Sequence, residues 1–141
     1  MSAGKARQLL VALLYLMGGL AALAVVPMVM PTAWMVATND WLGLGPFPHA
    51  PLTEYLTRSL SAVYALLGVL VLYVARHVER YYDLVIVMGW LTVLLGAFLT
   101  LLDFAVGMPP AWSWGEGPPT VVVGYAFVWL ARRARRQVDD R

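Results

Sequence analysis

Four charged side chains stand out in a chain that otherwise carries little charge in its apolar stretches. Glu54 and Arg58 are one helical turn apart, with the acid nearer the N-terminus, which is the favourable order for an ion pair. Asp103 and Glu116 each lie at the edge of a long apolar stretch. Because a charge near hydrocarbon is costly unless it is paired, we predict that Arg58 gathers these three acids into one polar cluster.

Three interpretations of this cluster stay open. It is a structural network that joins neighbouring helices, a binding pocket, or a set of unrelated charges that reach toward water. In a pocket, Arg58 would grip an anionic or carbonyl-bearing ligand with its planar fork of donors. Asp103 or Glu116 would then exchange a proton, and Tyr64 would line the cavity. A lipid-soluble quinone is the cofactor class that such a pocket would take.

The composition places these residues in a membrane protein. The chain has 141 residues, of which 61% are hydrophobic and only 13% charged, and its mean hydropathy is +0.72. A soluble domain needs about twice this share of charged residues to cover its surface. Gaps between the charges are long enough for helices that cross a bilayer. They predict four transmembrane helices at about residues 9–30, 53–73, 84–104 and 118–133.

The positive charges predict how the chain is threaded. With four crossings, nine of the ten basic residues fall on one side, which by the positive-inside rule is the cytoplasm. We therefore expect an all-α, antiparallel four-helix bundle that forms a single domain of the cell inner (plasma) membrane, with both termini cytoplasmic. Arg58 alone lies on the other side, and the nine cytoplasmic bases are Lys5, Arg7, Arg76, Arg80, Arg132, Arg133, Arg135, Arg136 and Arg141.

Two longer loops, 31–52 and 105–117, are predicted on the extracytoplasmic side. Thr32 is placed to cap a short helix from Ala33 to Leu42 in the first loop. Pro118 and Pro119 are typical of a helix start, which would leave Glu116 in the second loop. The tryptophans of both loops suit either an interfacial belt or a lid over the end of the bundle; they are Trp34, Trp41, Trp112 and Trp114.

Several functions are disfavoured by the residues that the chain lacks or isolates. There is no cysteine, so disulfides, thiol chemistry and cysteine-held zinc are excluded. The two histidines, His49 and His77, fall in loops on opposite predicted sides, and we expect neither a haem nor any metal site. The arginines after the last apolar stretch are typical of an anchor at anionic lipid headgroups, so we expect no nucleic-acid partner.

Scattered residues give a family resemblance. The first helix is glycine-rich and ends in Pro27, and Arg58 lies at the outer start of the second helix within Tyr55–Ser59. The small-residue stretch Tyr64–Gly68 follows, with Asp103 and Glu116 bounding the second outer loop. In this pattern the chain resembles the DoxX-like superfamily of small four-helix bacterial membrane proteins. The resemblance implies a role in a quinone-dependent or thiosulfate-linked redox system, or as an accessory subunit.

No catalytic motif is visible, and no catalytic residue is nominated. Small residues along the helices favour close helix association. We therefore expect a non-enzymatic accessory or assembly subunit whose partners are membrane lipids and a larger membrane complex or further copies of itself. The alternative is a binder or redox partner of a quinone-like or anionic lipid headgroup. A small-solute or proton carrier is the weaker alternative, because the middle of the helices carries no charge to relay a proton.

Overall fold

The computed structural model describes residues 2–48 and 50–139, which are helical with short connections and contain no strand. Met1, His49 and residues 140–141 lie outside the described residues, as do the side chains of residues 136–139. The all-helical expectation is thereby confirmed. The helices are α1 (Ala3–Ala22), α2 (Val25–Val29), α3 (Thr32–Trp41), α4 (Pro51–Arg76), α5 (Tyr82–Val106) and α6 (Pro110–Asp139), and a 3-10 turn, Val78–Arg80, joins α4 to α5.

Three helical segments are long and apolar enough to cross a membrane, namely Ala3–Val29, Pro51–Arg76 and Tyr82–Val106. Among the described residues α6 is not one of them, since its first third is rich in Gly and Pro and its last third in Arg. The fourth crossing and the position of the termini therefore stay predictions.

The chain divides into two compact units. The first comprises Met1–Leu14 and Val74–Arg141, and the second comprises Tyr15–Tyr73. The divisions fall inside α1 and α4, so each of these helices contributes to both units.

In the second unit, α1 and α4 touch at backbone distance through glycines. A Cβ atom added to Gly68 would lie 2.7 Å from the carbonyl oxygen of Gly18, and one added to Gly18 would lie 3.1 Å from Leu72. Residue 18 thus meets residue 72 while residue 68 meets residues 18–22, so the two helices run antiparallel. Such close approach requires small residues at the contact, as in other membrane helix pairs.

In the first unit, α5 and α6 form an antiparallel pair with glycines on both helices. Gly96 faces Gly117, and seven residues away along each helix Gly89 faces Gly124. A Cβ atom on Gly96 or on Gly89 would lie 2.8 Å from the carbonyl oxygen of the glycine opposite. This heptad-spaced glycine contact brings the two backbones together over several turns.

The first predicted helix is interrupted instead of continuing from residue 9 to residue 30. It ends at Ala22, and α2 begins at Val25. Pro27 has no N–H group for the carbonyl of Leu23, and its ring crowds that carbonyl. The Leu23 carbonyl instead accepts the N–H of Val26 at 2.9 Å, so the helix is broken at this point.

The last helix begins at Pro110, well before the expected start at residue 118. The carbonyl of Pro109 accepts the N–H groups of Trp112 and Ser113 at 2.9 and 3.2 Å, which sets the first turn. Pro118 and Pro119 lie inside α6. The predicted loop 105–117 is therefore reduced to a short turn, in which Gly107 adopts the left-handed conformation that ends α5 (φ 74°).

Candidate functional site

Arg58 is the centre of a polar network in the second unit. Its Nε and Nη2 atoms donate to Oε1 of Glu54 at 3.0 and 2.8 Å. Its Nη1 atom donates to the backbone carbonyl of Met28 at 2.9 Å. The arginine side chain is one-third exposed, so this ion pair is neither fully buried nor free in solvent.

The position of each group in this network follows from local structure. Glu54 and Arg58 lie on one face of α4 because they are four residues apart. Met28 lies in the last turn of the short helix α2, where carbonyl groups lack intrahelical partners. Arg58 supplies the missing donor, so one guanidinium ties the end of α2 to the first third of α4.

Thr32 joins the same network and does not cap α3. Its hydroxyl donates to Oε1 of Glu54 at 3.1 Å, and Pro31 occupies the N-cap position without a side-chain hydrogen bond. The predicted capping role is therefore wrong. A carboxylate is a stronger acceptor than a neutral partner, and here it draws the Thr32 hydroxyl across to α4.

Asp103 lies in the first unit, near the C-terminal end of α5. Its side chain is only 6% exposed, and its Oδ2 atom is buried without a hydrogen-bond partner among the described residues. The backbone carbonyl of Asp103 is used, because it accepts the N–H groups of Gly107 and Met108 at the end of α5. A buried carboxylate oxygen without a donor is rare in native proteins and calls for an explanation.

Ser113 is a second buried polar residue in the same unit. Its side chain is 1% exposed, and its hydroxyl has no partner within the part of the chain that the structure describes. Ser113 is not among the predicted site residues because its segment is predicted as a loop. Its signal is the four-residue spacing to Gly117, which places it on the face of α6 that contacts α5.

The helix register relates Asp103 to Ser113. Gly96 faces Gly117, so one heptad further along α5 lies Asp103, and one turn back along α6 lies Ser113. Both therefore belong to the faces that form the α5–α6 contact. The rings of Phe104 and Trp114 meet edge to face beside them, with centroids 6.2 Å apart.

Glu116 lies within α6, contrary to the predicted loop position. The indole Nε1 of Trp112 donates to its Oε2 atom at 2.5 Å, across one helical turn. The hydroxyl of Thr120 donates to its backbone carbonyl at 2.6 Å. Glu116 is thus held by neighbours on its own helix.

Tyr64 lies off the line of the Arg58 network. Six residues along a helix correspond to about 1.7 turns, which brings Tyr64 to a different face of α4 from Arg58. Its side chain is 43% exposed.

The five predicted site residues are thus shared between the two units. Glu54 and Arg58 are hydrogen-bonded to each other, and they lie with Tyr64 in the second unit, whereas Asp103 and Glu116 belong to the first. A single cluster of all these residues stays a prediction. Among the described residues, no group of three or more His, Asp or Glu side chains is arranged to hold a metal ion.

The comparisons give no relative for this chain. No family model matches it, and no match is found among curated proteins or among solved structures. The resemblance to the DoxX-like superfamily therefore stays a prediction.

Proposed function

We propose that this chain is a small four-pass membrane protein that acts as a non-enzymatic accessory or assembly subunit of a larger membrane complex. The observation that carries the proposal is the use of Arg58. Its Nε, Nη1 and Nη2 atoms all donate within the fold, to Glu54 and to Met28. The one cation expected to grip a ligand thus joins α2 to α4 within the fold, and Thr32 adds α3 through the same carboxylate.

The proposed four-pass threading rests on the α5–α6 pair. α5 is apolar enough to cross a membrane, and α6 packs antiparallel along it through paired glycines. At the far end of this contact Arg135 pairs with Asp83, next to the start of α5. Crossing together with α5 would return α6 to the side where α5 began. The distribution of basic residues then supports cytoplasmic termini in a plasma membrane.

Co-purification tests the accessory role. The full chain, tagged and expressed at its natural level, is extracted in a mild detergent and its mass is measured by size exclusion with light scattering. We expect it to migrate in an assembly with at least one larger membrane protein, which mass spectrometry identifies. A solitary monomer after crosslinking in intact membranes would contradict the proposal.

A second candidate function is favoured by the buried oxygens of Asp103 and Ser113. A quinone-like headgroup presents carbonyl oxygens, which need donors. Arg58 already directs its Nε, Nη1 and Nη2 atoms to partners within the fold, whereas the Ser113 hydroxyl has no partner in the described structure. Bound at this end of the α5–α6 pair, such a headgroup would accept a hydrogen bond from Ser113.

Ligand-dependent stabilisation tests this second candidate. A soluble short-chain quinone is added to the detergent-solubilised protein, and its melting temperature is measured for the wild type, Ser113→Ala and Arg58→Lys. We expect the shift to disappear in S113A and to persist in R58K. An equal shift in all three proteins would rule out a headgroup site at Ser113.

A further inference from the structure

A groove of about 330 Å³ opens beside α6 where its apolar stretch meets its arginines. It combines aromatic rings, one aliphatic side chain and two adjacent guanidinium groups. Both arginines are exposed, and the whole groove belongs to one unit. The lining residues are Tyr125, Val128, Trp129, Arg132 and Arg133.

Both guanidinium groups of this groove lie over indole rings. The Cζ atom of Arg132 is 5.9 Å from the ring centroid of Trp90 on α5, and that of Arg133 is 5.1 Å from the centroid of Trp129. A cation–π contact is an electrostatic attraction to the ring face and does not require the guanidinium N–H groups as donors. These contacts therefore position the arginines and are compatible with hydrogen bonds to an anion. Orienting them in advance also lowers the entropy cost of binding.

The surroundings indicate which anion fits. Trp90 belongs to a helix apolar enough to cross a membrane, and both arginines directly follow the apolar stretch of α6, where arginine and tryptophan side chains reach toward the headgroups. Phosphate is the group that paired arginines recognise best through their planar forks. The exposed ring of Tyr125 lies from the arginines toward the apolar middle of α6, along the path that an acyl chain takes.

We propose that this groove binds the phosphate of an anionic phospholipid, with Arg132 and Arg133 on the headgroup and Tyr125 along an acyl chain. This is a discrete site, unlike the diffuse attraction of a basic tail to a charged surface. It requires that α5 crosses the membrane, and it is independent of the proposed accessory role.

A second basic groove in the same unit supplies control residues. It is lined by Arg7, Arg76, His77 and neighbouring residues, and Arg7 is paired with Glu79 at 2.8 Å. Lys5 and Arg76 are exposed bases of that unit outside the proposed site. Replacing them removes the same number of charges as replacing Arg132 and Arg133.

Lipid titration tests the site. The full chain in a neutral mild detergent is titrated with dioleoyl phosphatidylglycerol or dioleoyl phosphatidylcholine, and bound lipid is counted by native mass spectrometry. We expect the wild type to prefer phosphatidylglycerol. The double variant R132Q/R133Q should bind it about tenfold more weakly, a loss of ~1.4 kcal/mol. The charge-matched control K5Q/R76Q should lose less than about twofold, because its bases do not contact the bound phosphate. R132K/R133K keeps the charge without the fork and should fall between them.

Three results would overturn the site. Equal losses in R132Q/R133Q and K5Q/R76Q would show diffuse attraction, and unchanged binding in R132Q/R133Q would show that the groove is not used. Displacement of the lipid by glycerol 3-phosphate at equal concentration would show a site for a free phosphate and not for a lipid. Circular dichroism of each variant establishes that the helices are retained.

Discussion

The Arg58 network and the Asp103 end of the α5–α6 pair are both polar, but they differ in how their hydrogen-bonding groups are satisfied. Around Arg58, a partly exposed carboxylate accepts several donors, and a backbone carbonyl gains the partner that its helix end lacks. At Asp103 and Ser113, side-chain oxygens are buried without a donor or acceptor from the described residues.

The first kind of polar group stabilises the fold, whereas the second kind is buried at a cost in folding free energy. A satisfied network at a helix end stabilises the packing around it. A buried oxygen without a partner costs roughly 1 to 3 kcal/mol, and its retention suggests a task outside the fold itself. The Asp103 region is therefore where we expect a partner or ligand to act, while Arg58 serves as scaffold.

The largest expected effect comes from separating the helices that bury Asp103 and Ser113. In Gly117→Ala the new methyl group meets the carbonyl oxygen of Gly96 at 2.9 Å and the Thr100 side chain, so the helices must part. We expect a loss of about 1 to 3 kcal/mol, measured by thermal unfolding in detergent. Gly115→Ala is the matched control, because nothing lies within 4 Å of its added Cβ. Equal stability of the two variants would show that the glycine contact does not stabilise the α5–α6 pair that buries Asp103.

Removing Arg58 should have the next largest effect. Arg58→Leu leaves the Met28 carbonyl without its donor, which we expect to cost about 1 kcal/mol because the site is only partly buried. Arg58→Lys should not restore the loss, since one ammonium group does not reproduce the forked contact to Glu54 and Met28. The exposed Tyr64→Phe on the same helix serves as the control in the same melts. If R58L is as stable as the wild type, then Arg58 does not stabilise the fold.

Asp103 should respond in the opposite sense. Asp103→Leu removes an unpartnered buried oxygen, so we expect unchanged or higher thermal stability, by up to about 1 kcal/mol. The same variant should no longer co-purify with the larger membrane protein. The folded fraction of Arg58→Lys should still co-purify with it. If D103L melts earlier than R58L, then Asp103 is itself part of the scaffold and the contrast between the two regions disappears.

The smallest effect is expected at Trp112. Trp112→Phe keeps a ring but loses the hydrogen bond to Glu116, an interaction between neighbouring turns worth about 0.5 kcal/mol. Trp34→Phe, at an exposed indole on α3, is the control. Chemical denaturation followed by circular dichroism resolves a difference of this size. If W112F loses as much stability as G117A, then the Trp112–Glu116 hydrogen bond stabilises the fold as strongly as the glycine contact does.

The helices were predictable where the chain simply avoids charge. Gaps in charge placed α4 and α5 within a few residues of their ends, since apolar length is a property of the sequence alone. The prolines were less informative because a proline fits both a helix start and an internal kink. Pro110 begins α6, and Pro118–Pro119 lie within it, preceded by Gly115 and Gly117.

The candidate site was only partly predictable for a similar reason. The Glu54–Arg58 pair follows from four-residue spacing, which is local. The Met28 carbonyl is a backbone group whose availability depends on where α2 ends, and Thr32 reaches Glu54 from 22 residues away. Ser113 became visible only once its segment was known to be helical and to face Gly96.

The bond from Arg58 to Met28 has a consequence for how the chain is made. Met28 precedes Arg58 by thirty residues, so the first hydrophobic segment leaves the ribosome before the donor that its carbonyl has in the folded chain. The bend after α2 gains its stabilising hydrogen bond only when α4 has emerged and Arg58 can donate to Met28. Insertion of the first segment and formation of this contact are thus separate steps, and the second requires that α4 has also emerged.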